Sequence, residues 1–409
     1  MKCIALVEWN WTGHHPTYFN HFILAMEEIG VEVLALCPNP CEAEELANKT
    51  RHEADENMLH RGRTRFKRLE IPARRFRHFR PRRIGAIDWT IRHFGGIEDQ
   101  VRKWTRESGY EVDAIVYACI YDRDFEWVHL ARPFLRTPWM GLYLHAMTYR
   151  MPGSFIPHTK RLPCPEKMFS GSLCKSIGTL DEGIVGRFSN AVGKPVVALP
   201  DLADDRSAMN AEDQMLGERL KQFAAGRPVV GLFGHLQKSK GLLTFIEAAR
   251  SPGASGICFA LGGEMLWPSD EGEDNQIQLA LAQCPNLWTH LERIPTEPCL
   301  GHLMQACDVL SAAYIDFPHS SGIQAKAAAF GKPLIVSDGY LMAERTRRFR
   351  LGEVVPQGNA SALLEAILKI TNDPVAWIEG HNPLWDDYGR EHSFDRLKTS
   401  LRELLAPVS

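Results

Sequence analysis

Four short stretches of this chain bring together residues that can hold a phosphate or move a proton. In PVVGLFGHLQKSKGLLTFIEAA (228–249) an apolar run ends at Gly234 and His235, and a polar loop with Lys238, Ser239, Lys240 and Gly241 leads into an amphipathic stretch. Glycine at each margin lets backbone approach an anion and lysine offsets its charge, which suits a diphosphate. Loop lysines are also commonly just solvated. In CDVLSAAYIDFPHSSGIQAKAAAFGKPLIVSD (307–338) the polar turn His319, Ser320, Ser321, Gly322 precedes a helix expected over 323–330. Ala325, Ala327, Ala328 and Ala329 let that helix lie close on a sheet. Its first N–H groups, with the positive end of the helix dipole behind them and two hydroxyls in front, form a phosphate site. The alternative is that Ser320 and Ser321 only cap the helix.

The other two stretches carry imidazoles. Gly13, His14 and His15 lie within EWNWTGHHPTYF (8–19), and His145 follows the run PWMGLYL (138–144). An imidazole can donate, accept and become cationic near neutral pH, so His145 could hold a sugar hydroxyl or a developing charge. A buried histidine satisfied by backbone is the alternative reading. His14 and His15 face a similar choice between ligand contact and turn capping. A metal-chelating role for this adjacent pair requires further ligands, and none is evident in the sequence, so no metal is expected.

These residues need a scaffold of short strands. The apolar runs 3–7, 31–37, 114–119, 139–144, 176–179 and 196–199 are separated by helical or polar segments, as a parallel α/β sheet requires. In such sheets ligands sit at the carboxyl ends of the strands, where all four stretches fall. The 409 residues suggest two domains of ordinary size. A net charge of −3 and a hydrophobic fraction of 44% describe a globular chain without a general bias toward nucleic acid. The chain starts directly on a strand, so no signal peptide is expected, and no apolar run is long enough to span a bilayer. The 10 cysteines are scattered. Cys37 and Cys41 flank Pro-Asn-Pro without a matching downstream pair, so zinc is not expected there, and a reduced cytoplasmic setting is the simplest reading. Asp122-Arg123-Asp124 has the form of a metal-binding D-x-D, a pattern too short to carry weight.

The two phosphate-suited stretches, with FALGGE (259–264), the segment 300–311 and LGEVVPQGNASALLEAILKI (351–370), resemble in order the carboxy-terminal half of the GT-B glycosyltransferases, specifically glycosyltransferase family 4. The family loop G-R-L-x-x-E-K-G aligns with G-H-L-Q-K-S-K-G, placing His235 at the arginine and Lys240 at the lysine. The family donor loop E-G-F-G-L-P-V-L-E, anchored on Gly331-Lys332-Pro333, puts Pro318 and Lys326 at its two glutamates and Ser320, Ser321 and Gly322 over F-G-L. Asp316 can replace the first glutamate if the loop is two residues longer, and Lys326 can bind a phosphate or carboxylate of the ligand.

The resemblance implies an α/β GT-B fold, two Rossmann-like domains facing across a cleft. Its expected spans are 1–203 for the acceptor-side domain, 204–226 for a linker helix, 227–375 for the nucleotide-sugar domain, and 376–409 for helices crossing back to the first. It implies transfer of a hexose from a UDP- or GDP-sugar to a saccharide or lipid-linked acceptor with retention of configuration, without a cofactor. Lys240, His235 and the amides of Ser320, Ser321 and Gly322 would hold the diphosphate, His145 would face the sugar, and Arg293 would line the base pocket. A binding protein that retains donor recognition without turnover, and a sugar-nucleotide epimerase, are the other readings.

One segment stands apart from this resemblance. RGRTRFKRLEIPARRFRHFRPRR opens on Arg61 and closes on Arg83, with Phe66, Phe76 and Phe79 among the cations. It could dock on an anionic membrane surface, while Pro72 and Pro81 argue for a solvated helix and loop instead of one amphipathic helix.

Overall fold

The computed structural model describes residues 3–13, 15–54, 64–71, 82–144, 147–150, 165–203, 210–265, 281 and 283–408. The chain divides into two compact units, Met1–Pro200 with Phe394–Ser409, and Asp201–Ser393.

The first unit is built on β1 (Cys3–Val7), β2 (Glu32–Cys37), β3 (Thr64–Arg68), β4 (Ala114–Ile120), β5 (Trp139–Tyr143), β6 (Cys174–Thr179) and β7 (Val196–Ala198). They form one sheet in the order β3-β2-β1-β4-β5-β6-β7, with every pairing parallel. Every residue of β1, β4 and β5 is buried. This is why they read as unbroken apolar runs, since helices cover both faces of a parallel sheet. The helix Phe394–Leu405 is fixed to this unit by Ser400 Oγ donating to the Ala198 carbonyl at 2.9 Å and by a Lys398–Glu28 ion pair at 2.7 Å.

β3 was not among the expected runs. It lies inside the basic stretch read as a helix and loop, and among the described residues its sequence TRFKR is an edge strand paired only with β2. Cations suit an edge because they discourage pairing with another chain. Arg65 lies 4.1 Å from the Tyr110 ring centroid and 5.6 Å from that of Trp104. Phe76 and Phe79 lie outside the described residues.

The second unit carries β8 (Val229–Phe233), β9 (Cys258–Gly262), β10 (Leu287–His290), β11 (Val309–Ala312), β12 (Leu334–Ser337) and β13 (Gly352–Val355). Their order is β10-β9-β8-β11-β12-β13, again all parallel. The span 204–226, expected as a linker, contains the helix Ala211–Ala224, whose Leu216, Leu220 and Ala224 are buried with Val229, Cys258 and Leu303. It is an integral layer of the second unit. Helices Pro374–His381 and Trp385–Glu391 also stay with that unit, so the return to the first unit begins at Phe394, later than expected.

Among the described residues no helix is long and apolar enough to cross a membrane. Of the nine described cysteines only Cys41 is exposed, and none is in a disulfide. Burial pushes the thiols of Cys3 and Cys258 up to about 11 and those of Cys37 and Cys174 up to about 12. Iodoacetamide near neutral pH is therefore expected to modify Cys41 and to spare Cys3, Cys37, Cys174 and Cys258 in the native chain. Peptide mass mapping checks this, and labelling of Cys258 as fast as Cys41 would contradict the packing.

Candidate functional site

In an open parallel sheet the carboxyl ends of two neighbouring strands diverge where the strand order reverses, and that crevice is where ligands bind. In the second unit the reversal lies between β8 and β11. The two stretches singled out as phosphate-suited are the loops that leave these two strands.

The loop after β8 turns at Gly234 (φ +105°) and closes in a short 3-10 turn, Lys238–Lys240, followed by Gly241 (φ +72°). Gly241 is required for space as well as for backbone conformation, because a Cβ there would lie 2.2 Å from the Ala313 carbonyl oxygen. The Ile315 N–H donates to the Ser239 carbonyl at 2.9 Å, so the two loops are stitched backbone to backbone. The loop after β9 joins them: Gly263 (φ +139°) packs so tightly that a Cβ would lie 1.8 Å from the Gly234 carbonyl oxygen.

This close approach sets the half-buried Lys240 against the segment after β11. Its Nζ lies 3.9 Å from the Tyr314 ring centroid and 4.3 Å from that of Phe317. The two rings meet edge to face at 5.0 Å. Cation–π attraction orients an ammonium without neutralising it. Among the described residues no carboxylate lies within ion-pair distance of Lys240. His235, Lys238 and Arg293 are exposed on the same unit.

Beyond Phe317 the loop reaches the helix Gly322–Ala329. Ser321 is its N-cap residue and its side chain makes no capping bond. Ser320 is engaged on both sides: its Oγ donates to the Asp201 carboxylate and accepts from Arg345 Nη1 at 2.7 Å. Asp201 and Arg345 are 3% and 1% exposed, and the Asp201 N–H donates to His392 Nδ1 at 3.0 Å. The Ser320 hydroxyl thus anchors the turn. What the helix start offers toward a ligand is backbone N–H groups that no helical carbonyl can reach.

The two positions aligned with carboxylates behave differently. Pro318 is buried. Lys326 is 7% exposed and its Nζ pairs with Glu297 Oε2 at 2.8 Å, across to the helix Glu297–Gln305. Its charge is met from within the protein. Asp316 is exposed at φ +47°, with its N–H on Gln357 Oε1 at 2.9 Å and its carboxylate near the Tyr340 hydroxyl at 3.4 Å. Burial first, and then the Asp316 carboxylate, push the Tyr340 phenol up from its ordinary value.

In the first unit the order reverses between β1 and β4. Gly13 is exposed with φ +59°, and His15 opens the helix His15–Glu28 and is buried. His15 Nδ1 lies 2.9 Å from Glu8 Oε2, and its Nε2 lies 2.9 Å from Asn10 Nδ2 and 3.1 Å from the Tyr121 hydroxyl. Cys119 completes the group, its thiol pushed well above the ordinary value by burial and by the adjacent Glu8 carboxylate. His14 and His145 lie outside the described residues. Glu8, Cys119 and Tyr121 were not picked out from the sequence. Neither were Tyr314 and Phe317, nor Asp201, Arg345 and Glu297. A clue existed for Tyr314 and Phe317, two aromatics close together in the turn YIDFPHSS (314–321).

A scan against protein-family models and a search of curated proteins find no match. Solved structures do match along the whole chain. HepE from Anabaena, in complex with UDP and glucose, is 14% identical with a TM-score of 0.65, aligning 99% of this chain with 99% of that one. Sucrose-phosphate synthase from Thermosynechococcus elongatus is 16% identical with a TM-score of 0.66 over 99% of this chain and 98% of that one. WaaG, a glycosyltransferase involved in lipopolysaccharide biosynthesis, is 11% identical with a TM-score of 0.60 over 100% and 99%. The chain has the GT-B fold, with two parallel-sheet α/β domains of seven and six strands among the described residues.

Replacing Ser320 tests the anchoring of the turn. S320A removes a donor from one buried charge and an acceptor from another, which costs about 1–3 kcal/mol. A drop in melting temperature of about 2–4 °C for each kcal/mol is expected for a unit of this size. An unchanged melting temperature would show that the Asp201–Ser320–Arg345 contacts do not hold the loop.

Proposed function

We propose that this chain is a hexosyltransferase that uses a nucleotide diphosphate sugar. The observation that carries the reading is Lys240, an ammonium held over Tyr314 and Phe317 with no carboxylate partner among the described residues, at the strand-order reversal of the second unit. The bond to the sugar breaks as negative charge builds on the departing diphosphate. Lys240 and the amides of Ser321 and Gly322 would meet that charge, with no ion required at the diphosphate. His235, in the same loop, is free to approach a phosphate oxygen from solvent, and Arg293, exposed after β10, is free to line a base.

The fold supports the class of donor. HepE, which shares the fold, has been solved with UDP and with UDP-glucose. Retention of configuration, a role for His145 beside the sugar, and a saccharide or lipid-linked acceptor rest on the family resemblance. Exposed Lys67 and Arg68 on the β3 edge support an approach to an anionic membrane surface through the basic stretch.

A second reading, a non-catalytic nucleotide-sugar-binding protein, is favoured by one observation. Both positions that align with family carboxylates lack one, and Lys326 is consumed by Glu297. The two readings separate on nucleotide release, which only the transferase gives when an acceptor is present.

Thermal shifts against UDP-, GDP- and ADP-sugars and the free nucleotides, at constant salt, are expected to select one base. Stabilisation at a hundredfold excess over Kd is about 2.7 kcal/mol. K240A should weaken the selected nucleotide about 10- to 100-fold, the worth of one charge-assisted hydrogen bond. An unchanged shift in K240A would remove the diphosphate assignment.

A further inference from the structure

The group at the β1/β4 reversal of the first unit goes beyond hydrogen bonding in what it can do. Glu8, His15 and Cys119 each present one ligand atom, and these atoms all lie within 4.8 Å of one another. All three residues are buried, at 1%, 4% and 1% exposure. Oxygen, imidazole nitrogen and sulfur together form a borderline-soft donor set of the kind that selects zinc over magnesium or calcium.

The surroundings add support of the type that ligating side chains need. An imidazole that binds a metal through one nitrogen is oriented by a hydrogen bond at the other. Here Nδ1 faces Glu8, and the opposite nitrogen has the Tyr121 hydroxyl at 3.1 Å as an acceptor for the proton it carries when Nδ1 binds a cation. The second oxygen of Glu8, Oε1, accepts the Asn10 N–H at 2.9 Å, and the Glu8 N–H donates to the Leu36 carbonyl at 3.0 Å. Glu8 directly follows β1, His15 opens its helix, and Cys119 lies near the carboxyl end of β4. The adjacency of His14 and His15 suggested no chelation because Glu8, seven residues before His15, was not read as a ligand and Cys119 lies far along the chain. The fold brings both to His15.

We propose that Glu8, His15 through Nδ1, and Cys119 Sγ form a binding site for a zinc-class divalent cation, with the fourth tetrahedral position open to water or a hydroxyl. The site belongs to the first unit and stands independently of the nucleotide-sugar reading.

Co²⁺ is the probe. The full chain, freed of metal with a chelator and desalted, is titrated with Co²⁺ while the thiolate-to-cobalt charge-transfer absorbance is followed, and Zn²⁺ is then added. The expected result is saturation at one equivalent, displacement by Zn²⁺, persistence of the band in C41S and its loss in C119S. E8Q is expected to weaken Co²⁺ at least about tenfold, by loss of one ligand's charge. Absence of saturable binding by the unaltered chain would overturn the site and leave a hydrogen-bonded cluster. So would a band that survives C119S or disappears in C41S. Because the unaltered chain alone can give the negative result, the test does not depend on the variants folding.

Discussion

A missing side chain governs the second unit. Gly241 follows the 3-10 turn at a positive φ, with its α-carbon against the Ala313 carbonyl, and any β-carbon there would collide with that oxygen. Because the loops after β8 and β11 can approach this closely, Lys240 reaches Tyr314 and Phe317, and the Ser239 carbonyl can accept from Ile315. The same device recurs one strand over, where Gly263 lies against the Gly234 carbonyl. Three loops are thus packed backbone to backbone at the carboxyl edge of the sheet.

Each unit follows the same topological logic and fills the resulting crevice with different chemistry. Parallel strands whose order reverses must leave a gap between the outgoing loops, and a helix beginning in that gap presents unpaired N–H groups to it. In the second unit the gap holds a cation with no carboxylate partner among the described residues and the start of the helix Gly322–Ala329, which favours an anion. In the first unit it holds a buried carboxylate, an imidazole and a thiol, which favours a cation. The contrast lies in the residues, and it would be invisible in a comparison of folds alone.

Much of this was legible in the chain itself. Continuous apolar runs such as Cys3–Val7 and Ala114–Ile120 identify strands buried on both faces, and the glycine-bounded lysine loop and the alanine-rich helix mark the phosphate-suited edge. β3 was hidden because the physics that suits an edge strand, frequent cations, removes the apolar signal that identifies a strand. Contacts between residues distant in sequence were hidden for a different reason. Nothing in the pattern around Lys326 announces Glu297, and nothing near Ser320 announces Asp201 or Arg345, since burial of a charge is decided by where helices meet. The Ser320 hydroxyl, read as facing a ligand or capping the helix, ties the turn to two buried charges.

A diphosphate site at Lys240 is the central claim. Calorimetric titration of the uridine, guanosine and adenosine series, each as nucleoside, monophosphate and diphosphate, reads it most directly. It predicts that in one series the diphosphate binds at least tenfold more tightly than the monophosphate, a difference of about 1.4 kcal/mol, and that the nucleoside binds weakest. Equal affinity across all three members of the binding series would contradict it, as would failure of every diphosphate to bind.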